Sequence, residues 1–79
     1  MEIKYSKQAV KFLNKQNKFV RERIMNAISR LPEGDIVKLQ GRENYRLRVG
    51  SYRVIFDRIG CIILIEKIDK RGDVYKGGC

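Results

Sequence analysis

Histidine and tryptophan are absent from the 79 residues, and proline occurs once. Without histidine the chain lacks the usual general base at neutral pH and the commonest metal ligand. Cysteine is scarce: Cys61 lies in an apolar run and Cys79 follows Gly77-Gly78. Two such residues make no zinc-type cluster, and no acidic triad suits magnesium, so no metal and no cofactor are expected. A bridge would tie a strand to a chain end; both cysteines are therefore read as free thiols in a reducing compartment. No long hydrophobic run exists either. The longest, from Cys61 to Ile65, is far below the roughly 20 residues of a membrane helix. The opening MEIKYSKQAVKF alternates charge and apolarity, which is not the pattern of an export signal. The expectation is a cytoplasmic protein without membrane contact.

What is abundant is positive charge: 18 Lys and Arg against 9 Asp and Glu, a formal +9. Such an excess attracts polyanions and acidic proteins and speeds encounter with both. The length suits one domain, residues 1–79, with a single interior shared by all elements. A deep cavity for a large organic cofactor is not expected in so small a core.

The pattern along the chain predicts an α+β fold, in which an N-terminal strand and a helical hairpin pack on a small, mainly antiparallel twisted sheet. Glu2 to Tyr5 reads as a strand with Ile3 and Tyr5 on one face. Ser6 is a candidate N-cap for a helix whose apolar side is Ala9, Val10 and Leu13, with Lys7, Lys11 and Lys15 opposite. Asn17 can cap a second helix carrying the stripe Val20, Ile24, Ala27, Ile28 and Leu31, ended by Pro32 and Gly34. From Asp35 the period becomes two. Ile36 to Leu39 reads as a short strand, with a turn through Gly41 to Asn44. Tyr45, Leu47 and Val49 then face inward and Arg46 and Arg48 outward. Gly50-Ser51 suits a two-residue type II′ hairpin turn. Beyond it Tyr52, Val54 and Phe56 face inward, Arg53, Ile55 and Asp57 outward. A turn near Ile59-Gly60 leads to a final strand from Cys61 to Ile68, apolar on both faces until Glu66 and Lys67, as expected of a strand central in the sheet or covered at an end.

A two-residue turn pairs Val49 with Tyr52 and sets Arg48 directly opposite Arg53. Opposed like charges at a Cβ separation of about 5 Å destabilise a sheet. With Arg46 two residues from Arg48 on the same face, three guanidinium groups converge. Each offers a planar fork of donors that grips phosphate oxygens bidentately. The alternative is an ordinary solvated strand face, its arginines paired with Glu66 or Asp57. Lys70 and Arg71 add cations near the C-terminus, and Tyr75 beside them could stack on an unpaired base. Cleavage of a phosphodiester at such a face would be metal-free, with arginines stabilising the developing phosphoryl charge and an RNA 2′-hydroxyl as nucleophile. Arginine is a poor general base. Lys70, Tyr75 or Glu66 could move the proton, and composition does not choose among them. Phe12 and Phe19 serve either the core or a partner's amphipathic helix.

Over nearly its whole length the chain resembles the RelE/ParE superfamily of toxins from type II toxin–antitoxin systems. The most specific portion is LQGRENYRLRVGSYRVIFD, joined by the terminal KRGDVY. The resemblance is nearer to the RelE branch, whose members are ribosome-dependent endoribonucleases that cut messenger RNA through the 2′-hydroxyl. It implies nucleic-acid contacts at Arg46, Arg48, Arg53, Lys70 and Arg71, and catalytic roles for Arg48, Arg53, Arg71 and Tyr75. Arg53 and Arg71 would hold the scissile phosphate, Arg71 is the candidate to protonate the leaving group, and Tyr75 would stack on or orient the attacked nucleotide. Some relatives carry lysine where Arg46 and Arg48 stand, and many carry histidine at the position of Lys70, so the base stays unassigned. The implied partners are a cognate antitoxin, the ribosome and messenger RNA. In the ParE branch the target is DNA gyrase; a non-catalytic RNA- or ribosome-binding module is a third reading.

Overall fold

Side-chain caps fix where the two helices begin. In the computed structural model, which describes residues 2–39 and 44–70, the Ser6 hydroxyl accepts from the Ala9 amide at 3.1 Å, and the Asn17 carbonyl oxygen accepts from the Val20 amide at 2.9 Å. Both satisfy amides that a helix start leaves without partners. They open α1 (Lys7–Lys15) and α2 (Lys18–Ser29). Arg21 secures the junction by donating from Nη1 to the Gln16 carbonyl at 3.2 Å, at the C-terminal end of α1.

Five strands form one sheet in the order β1-β5-β4-β3-β2. They are β1 (Glu2–Tyr5), β2 (Ile36–Lys38), β3 (Asn44–Val49), β4 (Tyr52–Ile59) and β5 (Ile62–Lys70). Only β1 and β5 run parallel; the remaining neighbours are antiparallel. The expected α+β architecture is the observed one, with β5 interior as its apolar faces required. Several boundaries differ from expectation: α1 runs on through Asn14 to Lys15, β3 takes in Asn44 from the expected turn, and β5 continues past Ile68 to Lys70. Gly60 and Cys61 are the turn, so Ile59 pairs with Ile62 and Cys61 is an exposed free thiol outside the strand. The short strand stops at Lys38, one residue early. The expected turn from Gly41, and Arg71, Tyr75 and Cys79, lie outside the described residues.

The helices cover one sheet face. Ala9 and Leu13 of α1, Ile24 and Ile28 of α2, and Leu31 pack on Leu47, Val49, Val54, Phe56, Ile63, Ile65 and Ile68. Burying each large aliphatic side chain is worth about 1.5–3 kcal/mol. Tyr5, Tyr45 and Tyr52 pack at the core boundary as expected, and so does Phe12, edge-to-face against Tyr52 at a centroid distance of 6.1 Å. Val10 was expected inward on helical spacing but is exposed, because α1 turns only the Ala9 and Leu13 side to the sheet.

Candidate nucleic-acid interface

On the uncovered sheet face, strand pairing sets the arginines. Val49 pairs with Tyr52 and Arg48 with Arg53, which is the two-residue register expected of the hairpin. Gly50 has φ of 60°, a left-handed value that a side-chain-bearing residue reaches only with strain, and one a type II′ turn requires. Arg46 stands opposite Ile55 on the same face.

The next strand supplies what the sequence reading missed. Arg53 pairs with Asp69 on β5, and its guanidinium donates from Nε to Oδ1 at 3.1 Å and from Nη2 to Oδ2 at 2.9 Å. Arg53 is thus about three-quarters buried in a bidentate ion pair, not free in solvent, and its acid is Asp69 instead of Glu66 or Asp57. Arg48 is held in turn by Asp35: its amide donates to the Asp35 carbonyl at 3.0 Å and Nε lies 3.9 Å from the carboxylate. Across the sheet the charges run Asp35, Arg48, Arg53, Asp69, so each opposed arginine has an acid on its outer side. That ordering relieves the repulsion expected of the pair. The Nη1 side of Arg53 remains for a further acceptor, since Asp69 engages only the Nε and Nη2 donors.

Lys67 also belongs to this face. It pairs with Ile55, and its Nζ is 3.9 Å from Asp69. Strict alternation does not point to Lys67, because a register irregularity between Ile55 and Phe56 admits Glu66 as an extra residue of β5 and shifts the later alternation. At the far end Asn44, buried, donates to Asp57 and, at 3.5 Å, to Glu66. Glu66 therefore shares the arginine face. Lys70 pairs with Tyr52 and takes the opposite, helix-side face of the pleat.

Among the described residues the charges of the open face balance. Lys4, Arg46, Arg48, Arg53 and Lys67 share the open side with Glu2, Asp35, Asp57, Glu66 and Asp69: five of each sign. The described residues hold fifteen Lys and Arg and seven Asp and Glu. All of their net charge, +8, therefore sits on the side of the helices, where Glu22 and Glu33 are the acids. Phe19 is 75% exposed on that side, with Val10 and Met25 also exposed. Tyr5, Val10, Leu13, Asn14, Arg21 and Met25 line an open groove of about 180 Å³ there, and burial raises the Tyr5 phenol above its ordinary pKa.

Among the described residues no three His, Cys, Asp or Glu side chains are grouped to hold a metal ion, and no helix is long and apolar enough to cross a membrane. A scan against protein-family models matched none, and a search of curated proteins found no relative. Solved structures do match. A chain of the RelB-RelE antitoxin-toxin complex from Methanococcus jannaschii aligns with a TM-score of 0.74 and 27% identity, over 94% of this chain and 96% of its own. A chain of the archaeal RelE-RelB complex from Pyrococcus horikoshii OT3 aligns at 0.72 and 30% identity, over 90% and 94%. The E. coli RelBE toxin-antitoxin complex shares the fold, at 0.68 and 19% identity over 87% and 94%. With this identity across most of both chains, and the strand, helical hairpin and twisted sheet in common, the chain belongs to the RelE/ParE-like toxin superfamily.

Proposed function

We propose that the chain is the toxin of a toxin–antitoxin pair and acts as a ribosome-dependent endoribonuclease on messenger RNA. The observation that carries this reading is the Arg48–Arg53 pair, set opposite each other on a sheet face that no described helix covers. The Nη1 side of Arg53 and the neighbouring Arg46 and Lys67 can grip a phosphate in transit to a charged transition state. Attack by the RNA's own 2′-hydroxyl needs alignment of the bound strand and no metal ion. Of the described groups considered for proton transfer, Glu66 shares the arginine face and Lys70 does not, which favours Glu66 as acceptor. Arg71 would neutralise the phosphate and protonate the leaving group, and Tyr75 would stack on the nucleotide beside it.

The relatives from Methanococcus jannaschii and Pyrococcus horikoshii are each complexes of RelE with RelB. A cognate antitoxin is the partner proposed here, and the exposed Phe19 is available to its apolar side chains.

Primer-extension mapping of a transcript on translating ribosomes tests the assignment. Cuts that depend on both protein and ribosome are expected. Intact transcripts together with gyrase-dependent DNA breaks would replace the reading by the ParE activity. Ribosome binding without either would leave a non-catalytic module.

A further inference from the structure

The charge division raises a question that the arginine face does not answer: which side draws in a polyanion. The described charges of the open face balance, whereas α1 contains no acid at all. Its Lys7, Lys11 and Lys15 recur at every fourth residue, are exposed, and form no ion pair among the described residues. Like charges at that spacing weaken a helix by a few tenths of a kcal/mol per pair. They also place an ammonium group about every 6 Å along the axis, a ladder suited to successive phosphates.

The two sides are joined at the β3–β4 hairpin. A Cβ built on Gly50 would lie 3.0 Å from Nη2 of Arg23 and 3.2 Å from its Cζ. The α2 guanidinium is therefore laid against the turn, which is flanked by the Val49–Tyr52 pair and, one step further along the strands, by Arg48 and Arg53. Arg23 makes no ion pair among the described residues. At the same end of the sheet, Phe12 of α1 touches Tyr52, and Tyr52 pairs with Lys70.

We propose that an RNA backbone held at Arg48 and Arg53 continues around this hairpin onto the helix side, with Arg23 binding a phosphate at Gly50 and the α1 lysines binding those beyond. The inference rests on RNA being the ligand of the open face and adds a second, larger contact surface to it. It assigns the long-range attraction to the helices and leaves the sheet to position the reacting phosphate.

The test is affinity for a single-stranded RNA of about twenty nucleotides as salt is varied, on the full chain. Each lost phosphate contact lowers the slope of log affinity against log salt by about 0.7. Arg23→Gln should lower it by about that much, and Lys7→Gln/Lys11→Gln/Lys15→Gln by about 2, with melting temperatures unchanged. Arg46→Gln on the open face should change it by less than the triple variant. Slopes unchanged in both helix-side variants overturn the proposal, as does equal binding of poly-glutamate, which would indicate an acidic protein instead. If the wild-type protein cuts no RNA on ribosomes but the helix-side variants lose slope, the ribonuclease reading fails and the binding path stands.

Discussion

The two sides of the sheet share one hydrophobic core and handle charge in opposite ways. On the open side the described acids and bases are equal in number, and Arg48 and Arg53 each face a carboxylate. On the helix side the described cations outnumber the described acids by eight and are mostly exposed. Fixed, partly neutralised donors give geometry at short range; unmatched surface charge gives attraction at a distance, screened within about 10 Å at ordinary salt. The sequence shows only the sum, not its division between the two sides.

The sharpest way to break the contrast is Arg53→Ala. Ribosome-dependent cleavage should fall by at least about 100-fold. Because Arg53 and Asp69 are both about three-quarters buried, losing the pair should also cost about 1–2 kcal/mol. Thermal melting would register that as a drop of about 5–10 °C. Cleavage lost with no change in melting would mean that the ion pair contributes nothing to the fold.

Asp69→Asn probes the same pair from the other partner. It unbalances the open face by one positive charge and frees donors on Arg53, so RNA affinity in a filter-binding titration should rise about three- to tenfold, with a few degrees lost from the melting temperature. Weaker binding would show that Asp69 serves chiefly to orient the guanidinium.

Arg48→Ala should have the smallest effect on stability. It removes the opposition to Arg53 together with an exposed contact to Asp35, two effects of opposite sign, and melting should shift by under about 3 °C while RNA affinity declines. A larger fall would indicate that the Asp35 contact organises the loop before β3.

Much of this was legible in the sequence, for local reasons. Ser6 and Asn17 cap through atoms three residues from their targets, and Gly50-Ser51 fixes the register of the residues beside it. Those features act over a few residues, and they placed Arg46, Arg48 and Arg53 on one face. Asp69 was not legible as the partner of Arg53, because its position opposite depends on the β4–β5 register, and Glu66 interrupts the alternation from which that register would be counted. Arg23 escaped for a similar reason. It reads as one more cation on the solvent side of α2 until the hairpin is folded beneath it.

The parallel pairing of β1 with β5 constrains the order in which the molecule can assemble. The first strand made has no sheet partner until the last one described exists, since Glu2–Tyr5 pairs only with Ile62–Ile65. The Ser6 hydroxyl and the Gln8 amide likewise reach the backbone of Glu66 and Ile68, sixty residues away in sequence. Contacts of such separation slow folding, because the chain entropy of the enclosed loop is lost before they form. The β3–β4 hairpin can close early, but its open face acquires Asp69 only when β5 docks. The strand that joins β1 to the rest of the sheet therefore also brings Arg53 its counter-charge.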